Sequence, residues 1–400
     1  MSTVQVPDVR VTVGTYEGWL YGWEHDNGAK GNVEEPGAGS EVHSSALSNF
    51  MPKSGPRLDD GGMSLVFALE AHVGVVRCAT LMEAKGGDLL ATGGEDESIR
   101  IYNLKKRREV GELVQHTGGI TSLKFVGKKH LLSASEDKSL RIWRVSDWAC
   151  VHVLGGHKAG ITSLAVHPSG RLALSGSKDK TMRLWNLLEG RCAYISRFKE
   201  VPENIVWSPS GGSYAILFRS KILVYRTGDG EITAKRECKG RIQDVLFLSE
   251  EQIVYSSVFG VLSVWLHTEE NDEKNVVDLS IGVSERIRTL QKLDNSSTVV
   301  SATTNGLVHV WDIPHDVSES TKPLACLEKI VATGSRITCI TAALRKSPQT
   351  KETDSAPPKR QESNAVTPDE KHKKKKKKKK KRKSSAAEGD VGHDGKKVKR

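Results

Sequence analysis

The chain has 400 residues, and its formal charge of +11 is local: 21 Lys and Arg face 8 Asp and Glu from Arg345 to Arg400, against 39 and 41 before them. The body is therefore near −2 and the tail near +13, so a high isoelectric point describes the tail and is no argument that a folded surface binds nucleic acid. No run of 18 apolar residues and no basic N-terminal stretch with an apolar core occurs, which excludes a membrane-spanning helix and a secretory signal; six scattered cysteines without CxxC pairs point to a reducing compartment.

The first predicted elements are two short alternating strands, 9–13 and 19–23, followed by an insert at 27–62 rich in Gly, Ser, Glu and Pro and then a third strand at 64–69. Three segments then align with one another: LLATGGEDESIRIYNL from Leu89, LLSASEDKSLRIWRV from Leu131 and LALSGSKDKTMRLWNL from Leu172. Each reads as strand, tight turn, strand, with aliphatic and β-branched residues alternating with polar ones around a Gly/Ser/Asp cluster. The aromatic residue closing the second strand recurs at Trp23, Tyr102, Trp143, Trp185, Tyr225, Trp265 and Trp311, with separations of 79, 41, 42, 40, 40 and 46 residues. The first separation is about one period plus the insert. HPSG at His167 and SPSG at Ser208 repeat the spacing, and Cys150 and Cys192 each follow their Trp by seven residues, one structural position repeated rather than a disulfide pair. Short strands with a period near 40 residues are the signature of four-stranded propeller blades, and the count is seven.

Blade one is a strand short, while RITCITAAL from Arg336 is a spare strand after blade seven. Pairing the two closes the ring from both termini and leaves no long exposed edge. The all-β propeller thus occupies 1–344, as a monomer. After Leu344 the composition turns to Lys, Ser, Pro, Glu and Thr, which cannot bury enough apolar surface to offset the entropy of ordering, so 345–400 is predicted to be a disordered tail.

That tail carries one block, Lys371, Lys373, Lys374, Lys375, Lys376, Lys377, Lys378, Lys379, Lys380, Lys381, Arg382 and Lys383, and ends in KKVKR. It reads either as a solvated run that raises solubility or as a nuclear and nucleolar targeting segment that touches RNA phosphates without sequence preference. It holds no aromatic residue, so base stacking is not expected of it. Ser347-Pro348 and Thr367-Pro368 are candidate proline-directed phosphorylation sites, and the NSS at Asn295 is a chance turn sequence outside the secretory route.

The blades resemble the WD-repeat family closely. His116, Ser133, Asp137 and Trp143 match that family's structural tetrad, as do His157, Ser175, Asp179 and Trp185 at the same offsets; His72, Thr92, Asp96 and Tyr102 do so with phenol in place of indole. The resemblance implies a buried chain running from carboxylate to imidazole to hydroxyl to indole or phenol. Blade seven keeps Ser301 and Trp311, with Asn305 for the Asp, and blade one has Glu17 there. A Ser, His and Asp set repeated around a ring is not a hydrolase triad. No phosphate loop, HExxH, GxSxG elbow or metal-ligand spacing occurs, so neither an enzyme nor a cofactor is expected.

A closer resemblance lies in VTVGTYEGWLYGWEHD with LEAH after the insert, in GGITSLKFVGKKHLLSASEDKSLRIWRVSDWACV, in HPSGRLALSGSKDKTMRLWNLLEGRCAYI and in the WSPSG at Trp207. These are similar to the p21-activated kinase-interacting protein family, whose fungal members are assembly factors for the large ribosomal subunit. The resemblance implies a nucleolar scaffold in large-subunit assembly and pre-rRNA maturation, with ribosome-assembly proteins and precursor particles as partners. The alternative it implies is a negative regulator that binds a p21-activated kinase.

Overall fold

The structure, a computed structural model, describes residues 9–25, 63–267, 276–279, 286–293, 296–313, 326–331 and 334–344. The insert at 27–62 and the tail at 345–400, with its lysine block, lie outside the described residues.

The described strands form seven antiparallel sheets of four. Blade 1 takes β1 (Val9–Thr15), β2 (Trp19–His25) and β3 (Met63–Glu70) from one end of the chain and β28 (Ile337–Leu344) from the other. Blade 2 is β4 (Val76–Leu81), β5 (Leu89–Gly94), β6 (Ile99–Asn103) and β7 (Arg108–Leu113); blade 3 is β8 (Ile120–Val126), β9 (His130–Ser135), β10 (Leu140–Arg144) and β11 (Cys150–Leu154). Blade 4 is β12 (Ile161–Val166), β13 (Leu172–Ser177), β14 (Thr181–Asn186) and β15 (Arg191–Arg197); blade 5 is β16 (Asn204–Trp207), β17 (Ser213–Leu217), β18 (Lys221–Arg226) and β19 (Ile232–Glu237). Blade 6 comprises β20 (Ile242–Phe247), β21 (Gln252–Ser257), β22 (Leu262–Leu266) and β23 (Val276–Leu279), and blade 7 comprises β24 (Ile287–Lys292), β25 (Thr298–Thr303), β26 (Leu307–Asp312) and β27 (Cys326–Val331). The chain is thus an all-β seven-bladed propeller.

The first strand of each of blades 2 to 7, and β28 in blade 1, lines a central channel of about 1120 Å³. Apolar side chains alternate along the strands and gather into seven clusters, each of which draws on two adjacent blades: Met82, Leu89, Ile99 and Ile101 of blade 2, for example, pack with Ile120, Leu131 and Trp143 of blade 3. Each sheet buries both faces against its neighbours, so the ring is stable only when complete. The register shifts by one residue before Trp143 and before Trp185, adding the twist that outer strands need. At that bulge Cys150 faces Trp143 and Cys192 faces Trp185, and Cys326 occupies the same position opposite Trp311. Cys150 and Cys192 are free thiols.

The ring closes through β28, which pairs along β1 from Val9↔Leu344 to Gly14↔Cys339 and forms the innermost strand of blade 1. It also grips blade 2. The Leu81 amide donates to Thr341 Oγ1 at 3.2 Å, and Thr338 Oγ1 donates to the carbonyls of Gly14, at 3.0 Å, and Val76. On the outer side of the same junction, buried Arg10 pairs with Glu24 at 2.6 Å and donates to the Gly87 carbonyl at 2.7 Å.

Candidate functional site

In blade 3 the polar chain is built from a turn upward. Asp137 sits after β9, followed by Lys138 in the left-handed region at φ 72°. The Asp137 carboxylate accepts the Ser139 amide at 2.9 Å and its hydroxyl at 2.7 Å, which holds the tight turn. Its other oxygen meets His116 Nδ1 at 2.6 Å and the Thr117 amide at 3.2 Å. His116 Nε2 lies 2.7 Å from Ser133 Oγ, which accepts the Trp143 indole N–H at 2.9 Å. An indole only donates and a carboxylate only accepts, so every proton in the chain points one way: indole to serine, serine to imidazole, imidazole to carboxylate.

Blade 4 repeats the arrangement. His157 lies 3.1 Å from Asp179 and 2.8 Å from Ser175, and Trp185 donates to Ser175 at 2.8 Å. Burial depresses the His116 and His157 imidazoles, outweighing the pull of their aspartates, so both are neutral near pH 7. Burial works against the two carboxylates as well, but hydrogen bonds from hydroxyl, amide and imidazole outweigh it and hold Asp137 and Asp179 below the usual carboxylate range. Ser133 and Ser175 are wholly buried, and each oxygen is already occupied by an indole proton. A substrate has no access to either hydroxyl, so the chemistry of the set is that of a clamp.

Blade 2 departs from the expected chain at its last member. His72 meets Asp96 at 3.0 Å and Thr92 at 2.9 Å, but the Tyr102 hydroxyl is engaged with the Arg100 side chain instead of Thr92. The reason is reach: an indole carries its N–H on the near, five-membered ring, whereas a phenol carries its oxygen at the far tip, beyond the Thr92 hydroxyl. Burial pushes the Tyr102 hydroxyl well above the ordinary phenol range, so it stays protonated.

The other blades replace the chain with different chemistry. In blade 5 the strand register puts Ile216 at the position of Ser175, and Phe198 packs edge-on to Tyr225 at 6.4 Å, as His157 does to Trp185 at 6.3 Å. Blade 6 has Tyr255 at the serine position, hydrogen-bonded to Arg236 and Ser263, and the fully buried Trp265 indole N–H has no acceptor among the described residues. Blade 7 keeps the Trp311 to Ser301 bond at 2.9 Å, but Asn305 faces a surface cavity and His309 stacks on Trp311 at 5.3 Å. Blade 1 places Val13 at the serine position, and its Glu17 is exposed.

Sequence periodicity gave no sign of the network that joins blades 4 to 7 beside the channel. Asp244, on β20, accepts the Asn204 side-chain amide at 2.7 Å, the Leu290 amide at 2.8 Å, the Val245 amide at 2.9 Å and the Thr289 hydroxyl at 3.1 Å. Asn204 in turn accepts the Ser163 hydroxyl at 3.0 Å. Ser163, Asn204, Asp244 and Thr289 occupy one equivalent register position in four successive blades. Burial pushes the Asp244 carboxyl up, against the pull of its four donors.

One mouth of the channel is edged by the turns between the second and third strands of the blades. There the backbone repeats: the amides of Glu95, Glu136, Lys178, Val258, Thr304 and Tyr16 donate to the carbonyls of Val75, Gly119, Gly160, Arg241, Arg286 and Arg336, at 2.9 to 3.0 Å. The side chains at these positions differ in charge around the ring. Over blades 2 to 4 the charges cancel, with Arg77 paired to Glu95 and Glu136 and Lys178 paired to Glu136, all at 3.0 Å. Across the ring Arg241 pairs with Glu203 at 3.1 Å, while Arg286 and Arg336 line a cavity of about 500 Å³ with Thr304, Asn305 and Gly334. Among the described residues no three His, Cys, Asp or Glu side chains converge as metal ligands.

Residues 63–103, 107–144 and 148–186 match the WD domain, G-beta repeat family. Those are blade 2 with the preceding strand, and most of blades 3 and 4, the three blades that hold an Asp, a His and a hydroxyl in line. The chain is 37% identical over 282 residues to human p21-activated protein kinase-interacting protein 1, covering 68% of each chain. It is 32% identical over 265 residues to the Xenopus laevis p21-activated protein kinase-interacting protein 1-like, covering 66% of this chain and 71% of that one. To Protein MAK11 of Saccharomyces cerevisiae it is 30% identical over 321 residues, covering 69% of this chain and 74% of the yeast protein. A propeller whose strongest polar chains lie in the blades that match the WD repeat, and which aligns with these relatives over two thirds of its length, belongs to the p21-activated protein kinase-interacting protein 1 family of WD-repeat proteins.

Proposed function

We propose that the chain is a non-catalytic scaffold in nucleolar assembly of the large (60S) ribosomal subunit and in pre-rRNA maturation. The propeller holds assembly proteins and precursor particles, and the lysine-rich tail holds RNA through its phosphates. The observation that carries this reading is the division of charge: the body is near −2 and its repeated polar sets are consumed internally, while 345–400 carries about +13. Such a tail neutralises many phosphates and releases their counterions, giving affinity that falls steeply with salt and carries no sequence information. Tethering to RNA then raises the effective concentration of the propeller at its protein partners. The similarity to Protein MAK11, in a family whose fungal members act in large-subunit assembly, supports the same assignment, and nuclear and nucleolar residence follows from it.

Sedimentation of full-length and tailless protein against ribosomal precursors at two salt concentrations, with localisation scored in parallel, tests the reading. Full-length protein is expected in precursor fractions and in the nucleolus. Removal of 345–400 is expected to abolish salt-sensitive RNA binding and weaken nucleolar accumulation. Full-length protein absent from every precursor fraction and from the nucleolus would favour the second reading, regulation of a p21-activated kinase. The printed names of the vertebrate relatives support that second reading, and it predicts kinase binding that survives loss of the tail.

A further inference from the structure

The mouth of the channel carries positive charge that the described structure does not neutralise, and that charge is confined to one side. Arg286 precedes β24 of blade 7 and Arg336 precedes β28 of blade 1, and both line the cavity together with Thr304, Asn305 and Gly334. Arg288 follows two residues after Arg286 along β24 and lines the channel beneath. Among the described residues none of these three arginines forms an ion pair with a carboxylate. Arg286 Nε is buried without a hydrogen-bond partner there, and Arg336 lies over the Tyr16 ring at 5.6 Å. Desolvation and the neighbouring charges of Arg286, Arg241 and Arg336 lower the Arg288 guanidinium, against the opposing pull of the Asp244 carboxylate.

Two exposed aromatic side chains stand in turns on the same mouth. Phe259, in the turn of blade 6 after Val258, is 74% exposed, and Tyr16, in the corresponding turn of blade 1, is 54% exposed. A mouth that presents exposed aromatic rings and unpaired arginines has the composition of a protein interface core, where Arg and aromatics supply most of the binding energy.

We propose that this arginine-lined mouth, formed by blades 6, 7 and 1, is a docking site for an acidic segment of a protein partner. The segment sets one or two Asp or Glu carboxylates between Arg286 and Arg336 and an apolar residue against Phe259 or Tyr16. An RNA strand fits less well. Its phosphates need a continuing basic track, whereas the arginines are bordered by Glu203 on one side and by Glu17 on the other, with Glu95 and Glu136 following on blades 2 and 3. A short peptide spans only the basic sector, where bidentate guanidinium-to-carboxylate bonds give both strength and orientation. This inference rests on the reading of the protein as a scaffold and adds the chemistry of one partner.

Photo-crosslinking with full-length protein tests it. The probe is a synthetic eight-residue Asp/Glu-rich peptide with p-benzoylphenylalanine at its centre, and the crosslinked positions are mapped by mass spectrometry so that capture by the lysine tail is read separately. Crosslinks are expected on the segments bearing Phe259, Thr304 and Tyr16. Arg286→Glu with Arg336→Glu should cut their yield at least tenfold, and Lys235→Glu on the outer strand of blade 5 should leave it unchanged. If the double reversal melts below the wild type, Arg286→Gln with Arg336→Gln carries the same expectation. Crosslinks confined to the tail, or a mouth yield indifferent to reversal, overturn the proposal. Oligouridylate that crosslinks to the mouth in place of the peptide, and is lost on the same reversal, overturns it in favour of RNA. Neither overturning result touches the scaffold reading, which stands or falls on sedimentation with precursor particles.

Discussion

Asn204 donates its side-chain amide to Asp244 at 2.7 Å across the junction of blades 5 and 6, and through that bond a single carboxylate ties together the part of the ring that lacks complete polar chains. Blades 2 to 4 are locked one by one, each by its own His and Asp. Blades 5 to 7 are locked to one another instead, since Asp244 also takes the Thr289 hydroxyl and Leu290 amide of blade 7. The two halves of the ring therefore respond differently to substitution.

Asp244→Ala removes the shared acceptor and strands four partly buried donors at once. An expected loss on the order of 3 to 5 kcal/mol follows, because hydrogen bonds to a charged group are stronger than neutral ones and buried unpaired donors keep their desolvation penalty. Asp244→Asn retains one acceptor oxygen and should cost less, while Glu189→Ala, in an exposed turn, should lie within about 0.5 kcal/mol of wild type. Denaturant titration followed by tryptophan fluorescence measures all three. Equal midpoints for Asp244→Ala and Glu189→Ala would show that the network contributes nothing.

Asp179→Ala leaves His157 Nδ1 and the Lys158 amide without their acceptor and frees the turn at Lys180, whose φ of 62° is held in place by the same carboxylate. The expected cost is about 1 to 3 kcal/mol. In blade 5, where Phe198 and Ile216 stand at the corresponding positions, Ser220→Ala in the turn after Phe218 should leave the midpoint unchanged, since no polar chain depends on it there.

What the sequence made legible was whatever repeats as the same residue type. The His, Ser or Thr, Asp and aromatic positions of blades 2 to 4 recur because the polar chain tolerates few chemistries, and their spacing carried the blade count. The Ser163, Asn204, Asp244 and Thr289 series shares one geometric position but four side-chain types, so no periodicity announces it. Blade 5 was obscure for a related reason: Ile216 and Phe198 preserve the shape of the lock while discarding its polarity. Tyr102 shows the opposite error, an aromatic at the right spacing whose polar atom lies in the wrong place. The arginine mouth was hidden because Arg241, Arg286 and Arg336 lie far apart in the chain and share a face only when blades 6 and 7 and β28 pack side by side.

The neutral imidazoles make stability depend on pH. His72, His116 and His157 are all depressed by burial below their unfolded value near 6.5, so between that value and the folded one the unfolded chain binds more protons than the native one. Stability should therefore be level above pH 7 and fall as the pH drops below 6.5. A further fall is expected below 3.8, where the depressed Asp96, Asp137 and Asp179 take up protons in the unfolded chain first. Asp244, raised by burial, acts in the opposite sense, but as one group against six. Melting temperatures from pH 5 to 8 check the histidine limb, and a curve flat to pH 5 would mean that these imidazoles take up protons as readily in the fold as in the unfolded chain.

Ring closure gives the sharpest contrast between two cuts only nine residues apart. Truncation before Arg336 removes all of β28 and so takes from blade 1 its innermost strand, leaving β1 an open edge from Val9 to Thr15. It also removes Thr338 and Thr341, which hold the Gly14 and Val76 carbonyls and the Leu81 amide of blades 1 and 2, and it exposes Val9, Val11 and Val13 of the apolar cluster shared by blades 7 and 1. An exposed apolar edge with unpaired backbone groups is a template for association, so this form should aggregate or be cleaved rapidly by protease. Truncation after Leu344 leaves every one of those contacts in place and should give a soluble protein with an unchanged melting temperature. Thr338→Val with Thr341→Val offers a milder version: the strand remains, but three buried backbone groups lose their hydroxyl partners, for an expected cost of about 1 to 3 kcal/mol. Limited proteolysis of the three forms side by side ranks them. If the cut before Arg336 proved as resistant as the cut after Leu344, the pairing of β28 with β1 would not be what closes the propeller.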